Sequence, residues 1–318
     1  MKKSFKCISL MLSSLLILGC GSTAFSAATV EDNKSVKAIY EKIEEGRTVL
    51  YDGNNNEIPV EKLNNDTENI SKKLPQKYDL RDYGRVSKVK NQGSEGYCWA
   101  FASVASMESS ILSQNDLKSK LGENPQDTID LSEAGQTWYI HSGIVDKSSP
   151  FYGDYINDSS KGSNGGTSDT LAISLNSGFG TYPQSLCPYN EVKKGFSETL
   201  RYYSDYRLKD YSEISNNKDT LKSKIVSNGA VTVYYPSITD CYSSDYANYY
   251  SDNTCIGIGD SHLIVVVGWD DNYSKDNFTG KVKPSNDGAW LCKNSWGEHY
   301  GNDGYIWISY DTTNLSFS

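Results

Sequence analysis

The chain has 318 residues, of which 22% are charged and 37% hydrophobic, with a net charge of −9 and a pI near 5.0. That length can bury a large core without a disulfide scaffold. The acidic balance excludes a broad basic surface, so no nucleic-acid partner is expected.

Lys2, Lys3 and Lys6 precede an apolar stretch, Ile8 to Leu18, that is too short to span a bilayer. Together they read as an export signal, and residues 1–27 are set aside as a signal peptide cleaved near Ser26 or Ala28. The run Leu16-Ile17-Leu18-Gly19-Cys20 also loosely resembles a lipoprotein box, which leaves a lipid anchor at Cys20 as the alternative exit. No later segment has the length and apolarity of a transmembrane helix, so the mature protein is expected to be secreted or held at a bacterial cell surface.

Residues 28–73 read as a propeptide or accessory arm. Val36, Ile39, Tyr40 and Ile43 recur at helical spacing before Gly46, which predicts one short amphipathic helix. Asp52 to Asn56 and Asn64 to Lys73 have loop composition. The main domain is expected over 74–318.

Within it, small and apolar residues from Tyr97 to Leu112 predict a closely packed helix with Cys98 at its N-terminal end. The last third predicts strands at Val231 to Tyr235, Leu263 to Trp269, Ala289 to Lys293 and Tyr305 to Tyr310. Helices first and strands later indicate an α+β fold. Tyr242 to Tyr250 read as an exposed, Tyr-rich loop.

Seven cysteines are present, two of them, Cys7 and Cys20, in the export segment. Five remain, an odd number that points to a free thiol. Cys241 and Cys255 flank the Tyr-rich loop and are placed so that they could pair; Cys292 reads as a buried structural thiol, and Cys187 has no assignment. Cys98 is the candidate nucleophile, because a helix N-terminus with an imidazolium beside it lowers a thiol's pKa. Of the three histidines, His262 opens the apolar run Leu263 to Val267 and is the best candidate base, whereas His141 and His299 lie in polar surroundings. Asn294 could orient the imidazole, and Gln92 could donate to an oxyanion beside the Cys98 N–H.

Several blocks then become recognisable. Tyr78 to Gly84, Val89-Lys90-Asn91-Gln92-Gly93, Gly96-Tyr97-Cys98-Trp99-Ala100-Phe101, Leu131-Ser132-Glu133, Gly162 to Gly166, Ser261-His262 and Lys293-Asn294-Ser295-Trp296-Gly297 stand in the order of the papain and cathepsin family. The stretch Trp269 to Ser274 most resembles clostridial-type surface peptidases of that family. The resemblance implies a two-lobed fold with substrate between the lobes. It places the nucleophile on Cys98, the base on His262, the orienting amide on Asn294 and the oxyanion donor on Gln92. It also matches Gly165 and Gly166 to the segment that pairs with the substrate backbone, and Trp296 to an indole on the leaving-group side. Thr167, Ser168, Tyr234 and Leu263 are the expected lining of the pocket for the second residue upstream of the scissile bond.

The activity expected from this resemblance is that of a cysteine endopeptidase acting on protein or peptide substrates through a thioester, made as a precursor and needing no cofactor or metal. An inactive scaffold on the same fold would have lost one of the four central residues, and other Cys–His acyl transferases lack this order of blocks. Departures from the family are Glu95 and Ser163, where a disulfide usually stands, and Leu80 in place of a tryptophan. The gap from Cys98 to His262 exceeds the family's usual ~130–150 residues, which implies insertions near Ser142 to Lys161 and Asp270 to Asp287. The second insertion is acidic, but Lys275 and Lys281 occupy positions that an EF-hand gives to glycine and glutamate, so it reads as a solvated loop.

Overall fold

The computed structural model describes residues 40–44, 47–51, 57–58 and, from Leu74 to Ser318, all but 145–146, 149–151, 154–164, 177–179 and 256–258. The export signal, Cys20, Val36, Ile39 and Ser163 lie outside the described residues, as does most of the insertion near Ser142 to Lys161. The chain divides into two units, Met1–Lys73 and Leu74–Ser318.

In the first unit the expected helix is replaced by a small antiparallel sheet. Strand β1 (Tyr40–Glu44) pairs with β2 (Arg47–Tyr51), and β2 with β3 (Glu57–Ile58). Tyr40 and Ile43, the two residues of the helical pattern that are described, stand in β1. Thr48, Val49, Leu50 and Tyr51, residue types that favour strands, pair in register with Ile43, Lys42, Glu41 and Tyr40.

The second unit is built on one central helix and one sheet. Helix α1 (Cys98–Ser113) buries six consecutive residues, Trp99 to Val104, so it is enclosed on all sides rather than amphipathic. Three further helices, α2 (Glu133–His141), α3 (Ser168–Asn176) and α4 (Lys218–Asn228), pack with α1. Ser132 caps α2 by accepting from the Gly135 N–H at 2.9 Å, and Asn217 caps α4 in the same way from Thr220.

The sheet contains β4 (Lys77–Asp79), β5 (Val231–Ile238), β6 (Tyr242–Ser243), β7 (Asn248–Tyr249), β8 (Gly259–Asp270), β9 (Ala289–Lys293), β10 (Tyr305–Ser309) and β11 (Ser316–Phe317). Its order is β11-β5-β8-β9-β10-β7-β6, with β4 also paired to β8. The apolar run Leu263 to Val267 lies in β8, which is paired on both edges and contacted by α1 and α4, and all five residues are buried, which is why its hydrophobicity does not alternate. Leu80, where the family has a tryptophan, is fully buried, and Trp269 stacks on Tyr78 at 5.0 Å while donating to the Pro75 carbonyl.

One expectation about loops changes. Tyr242 to Tyr250 is no exposed loop: it forms the edge strands β6 and β7, with Tyr249 and Tyr250 buried and only the tip at Ser244, Asp245 and Tyr246 open. The parallel pairing of β7 with β10 brings it onto the sheet, which local composition does not reveal. The acidic insertion is a solvated loop as expected, with Lys275, Asp276, Lys281 and Asp287 exposed, and it is tethered where Asp271 accepts from Lys222 and Tyr310 and Asp287 accepts from the Lys275 N–H.

Candidate active site

Cys98 is the first residue of α1, and Tyr97 before it makes no side-chain cap. The first N–H groups of the helix are therefore not consumed by a side-chain cap at the place where an anion would develop. The sulfur meets the backbone N–H groups of Leu263, Trp99 and Cys98 itself, which brings it to the strand residue that follows His262. Burial nevertheless outweighs these contacts and pushes the thiol up. Burial and the backbone donors act in opposite directions on this thiol, and the imidazolium that the sequence reading places beside it would add to the donors' side.

His262 is 4% exposed, and its Nε2 donates to Asn294 Oδ1 at 2.9 Å. The same oxygen accepts from the Ser295 N–H at 2.7 Å, which keeps the amide from rotating. With Nε2 engaged, Nδ1 is the atom left to exchange a proton. Burial lowers His262 to about 4, against a smaller opposing pull from the Asn294 hydrogen bond. Burial thus works against the charged form of each group taken alone.

Trp296 covers this pair by stacking on His262, with ring centroids 4.4 Å apart and an interplanar angle of 16°. Tyr300 meets Trp296 edge-on at 4.6 Å, and Tyr242 stacks on Tyr300 at 5.5 Å. On its other side, Tyr235 meets His262 at 5.8 Å and Tyr249 meets Tyr235 at 4.9 Å. The sequence reading named Trp296 and missed Tyr235, Tyr242, Tyr249 and Tyr300, whose only signal was the high tyrosine content.

Gln92 is fixed from both ends. Its Oε1 accepts from the Ser295 hydroxyl at 2.6 Å and its Nε2 donates to the Glu95 carbonyl at 2.9 Å, which leaves the second amide hydrogen free of either bond. The Gln92 N–H donates to the Ser295 carbonyl at 2.8 Å and the Gly297 N–H to the Lys90 carbonyl at 3.1 Å, so segments 90–92 and 295–297 are zipped together. This zipper sets Gln92 and Asn294 in one frame.

Beneath that frame lies a buried ionic cluster that the sequence reading did not assign. Lys90 donates to Glu108, to Glu133 and to the Leu131 carbonyl, and pairs with Asp130. Glu108, fully buried, also accepts from Ser87 and from the Leu131 N–H, and Lys293 donates to Ser87 at 2.9 Å. Burial alone would lower Lys90, but Glu133, Glu108 and Asp130 outweigh it and hold the ammonium well above the lysine range. Burial raises Glu133 to about 7 and lowers Lys293 to about 8. The cluster sits in the blocks Val89 to Gly93, Leu131 to Glu133 and Lys293 to Gly297, so its signal was visible as motif but not as contact. Asn294 and Glu133 border a shared cavity of about 10 Å³, the room needed by one water.

Gly165 has φ of +87°, and a side chain on Gly166 would enter the Trp99 indole at 2.7 Å. Both positions thus require glycine, and Gly166 remains exposed on its other side, as a backbone-pairing segment must. The expected specificity residues come together only in part. Leu263 and Tyr234 are direct partners between β8 and β5 and share one face, opposite to that of His262 and Tyr235. Ser168 bonds Ser318 at 2.7 Å, and Ser318 bonds Thr232, two positions before Tyr234. Thr167 bonds Thr170 in its own turn. A cavity of about 200 Å³ between α1, α3 and α4 is bordered by Ser168 but not by Thr167, Tyr234 or Leu263.

Cys187 and Cys292 are fully buried, and Cys292 is pushed above the usual thiol range by burial. His141 is buried edge-on against Trp99 and His299 is exposed, so neither joins the site. Among the described residues no group of His, Cys, Asp and Glu has the arrangement of a metal site, and no helix is long and apolar enough to cross a membrane.

Comparison with known proteins fits this geometry. Residues 74–316 match the papain family cysteine protease. Rat procathepsin L is 28% identical over 76% of this chain and 62% of its own length, so the chain spans less than two thirds of that curated relative. Bovine cathepsin S is 30% identical, with 77% of this chain and 62% of that protein covered. A crystal structure of the cysteine protease and lectin-like domains of Cwp84, a surface layer associated protein of Clostridium difficile, superposes with a TM-score of 0.59 at 29% identity, covering 76% of this chain and 49% of that one. With the thiol at a helix start, the histidine on the facing strand and the asparagine behind it in the family's own order, the chain belongs to the papain family of cysteine proteases.

Proposed function

We propose that the chain is an exported cysteine endopeptidase that cleaves proteins through a thioester and is made as a precursor. The observation that carries this reading is an uncapped helix start at Cys98, whose sulfur meets the Leu263 N–H, next in the chain to a His262 that is bonded to Asn294 and stacked under Trp296. The Sγ proton passes to His262 Nδ1, and the thiolate attacks the scissile carbonyl carbon. Creating both charges together lets imidazolium and thiolate supply to each other the stabilisation that burial removes from each alone. The free amide hydrogen of Gln92 and the Cys98 N–H take the oxyanion. Imidazolium returns its proton to the leaving amine, and water then releases the acid from the thioester.

Gly165 and Gly166 offer backbone to the substrate, and Ser168, Tyr234 and Leu263 with Thr167 border the upstream pocket. The segment 28–73 acts as the covering arm, removed near Leu74-Pro75, and residues 1–27 direct export, with Cys20 lipidation as the surface-bound variant. The relatives' names support the first of these, since one is a procathepsin, and Cwp84 supports a surface location.

Labelling with a thiol-reactive epoxide tests the reading. Wild-type protein should lose protein hydrolysis as one equivalent attaches to Cys98, and Cys98→Ala should fold but neither label nor cleave. Hydrolysis persisting in folded Cys98→Ala removes Cys98 from the mechanism. Precursor carrying residues 28–73 should label slowly, and labelling should rise as an N-terminus near Leu74 appears.

A further inference from the structure

Five cysteines of the main domain are free thiols, and two of them, Cys241 and Cys255, flank the β6–β7 segment. Cys241 closes a single turn, Thr239–Cys241, just before β6 and is 2% exposed. Cys255 ends a turn in which its N–H donates to the Asp252 carbonyl at 3.1 Å, and it is half-buried against the main core. The two side chains lie within reach of each other, both against the main core. The segment between them is held down at both ends, because the Tyr250 N–H donates to the Cys241 carbonyl at 3.3 Å and the Thr313 N–H to the Ser251 carbonyl at 3.0 Å. That same segment carries Tyr242 and Tyr249, the outer members of the two ring contacts that end on His262.

We propose that Cys241 and Cys255 form a reversible disulfide that locks β6 and β7, and with them the aromatic wall against His262. The meaning of that wall as the leaving-group side of a cleft rests on the proposed peptidase reading; the bond itself does not. The half-buried Cys255 thiolate attacks one sulfur of a small-molecule disulfide such as oxidised glutathione, and one glutathione thiolate leaves. Cys241, losing its proton to solvent, then attacks the Cys255 sulfur, the S–S bond between the two cysteines forms and the second glutathione leaves. Two protein thiols are oxidised and one glutathione disulfide is reduced to two thiols, so electrons balance. Burial and the neighbouring Cys255 push Cys241 up to about 12, which suits it to the second, intramolecular step rather than the first. The reverse reaction with excess thiol releases the segment.

Full-length Cys98→Ala protein, which lacks the competing thiol, should be equilibrated with oxidised glutathione, then alkylated and mapped without reduction. A peptide linked through Cys241 and Cys255 is expected, together with a rise in melting temperature of about 6 °C, as a loop of this length gives in a domain of this size. Amide exchange at Tyr242, Ser243, Asn248 and Tyr249 should slow by about tenfold or more. Cys241→Ser and Cys255→Ser should show neither change. Both thiols alkylated, or Cys255 carrying glutathione without a link, would overturn the bond, and a link without slower exchange would overturn the lock. None of these readouts uses peptidase activity, so failure here is separate from failure of the peptidase reading.

Discussion

His262 and Asn294 are held from two sides by different physics. On one side stands an aromatic cover of Trp296, Tyr300, Tyr242, Tyr235 and Tyr249, which excludes water and carries no net charge. On the other lies the ionic cluster of Lys90, Glu108, Asp130, Glu133 and Lys293, joined to the site because Lys293 immediately precedes Asn294. The cover controls how readily the imidazole charges, while the cluster controls where the strand that bears Asn294 sits. Buried charge is costly unless every partner is present, whereas stacked rings lose area by degrees. The cluster should therefore fail as a unit and the cover piecemeal.

Glu108→Ala gives the largest expected effect. It leaves the Ser87 hydroxyl and the Leu131 N–H without their acceptor and takes one of the carboxylates from the buried Lys90, and should cost about 3–5 kcal/mol in urea unfolding. A cost near that of an ordinary surface substitution would show that the cluster does not act as a unit.

Acid titration sharpens the contrast, because the two sides have opposite linkage signs. His262 titrates near 4 when folded and near 6.5 when free, so between those values the unfolded chain takes the proton and stability falls as pH falls, by about 3 kcal/mol in all. Glu133 is raised from 4.5 to about 7, so the folded state takes the proton first and stability rises as pH falls through that window. Unfolding free energies between pH 7 and 4 should therefore vary little in the wild type. Glu133→Gln should unmask the loss on acidification, and His262→Gln the gain.

Asn294→Ala removes the group that holds the imidazole and should lower kcat by about 100-fold, with KM and stability nearly unchanged. Gln92→Ala should behave likewise, and an effect confined to KM in either would contradict the roles proposed for them. Trp296→Ala is the mildest break. It admits water to His262, so the imidazole should move from about 4 toward its ordinary value, read as a shift of the acid limb of the pH–rate profile by about one unit.

The residues that meet in the site were legible in the sequence wherever a motif carried them: Cys98 by its place before a helical run, His262 by the apolar strand after it, and Gln92, Asn294 and Trp296 by block order. The helix Cys98–Ser113 and strands Val231–Ile238, Ala289–Lys293 and Tyr305–Ser309 followed from period and composition, because burial writes a repeating pattern along the chain. The strands Tyr40–Glu44 and Arg47–Tyr51 did not, since a few apolar residues fit a helical and a strand period equally well and the pairing of the two strands decides between them. Protonation was equally out of reach. Whether Cys98 is raised or lowered depends on the balance of burial against backbone donors, and whether Glu133 is charged depends on Lys90 at a distance of 43 residues. Sequence determined which chemical groups this protein carries and in what order. Only the tertiary structure decided which of them lie against Tyr242 and Tyr249, against Lys293 and against each other, because those contacts join segments far apart in the chain and leave no local period to read.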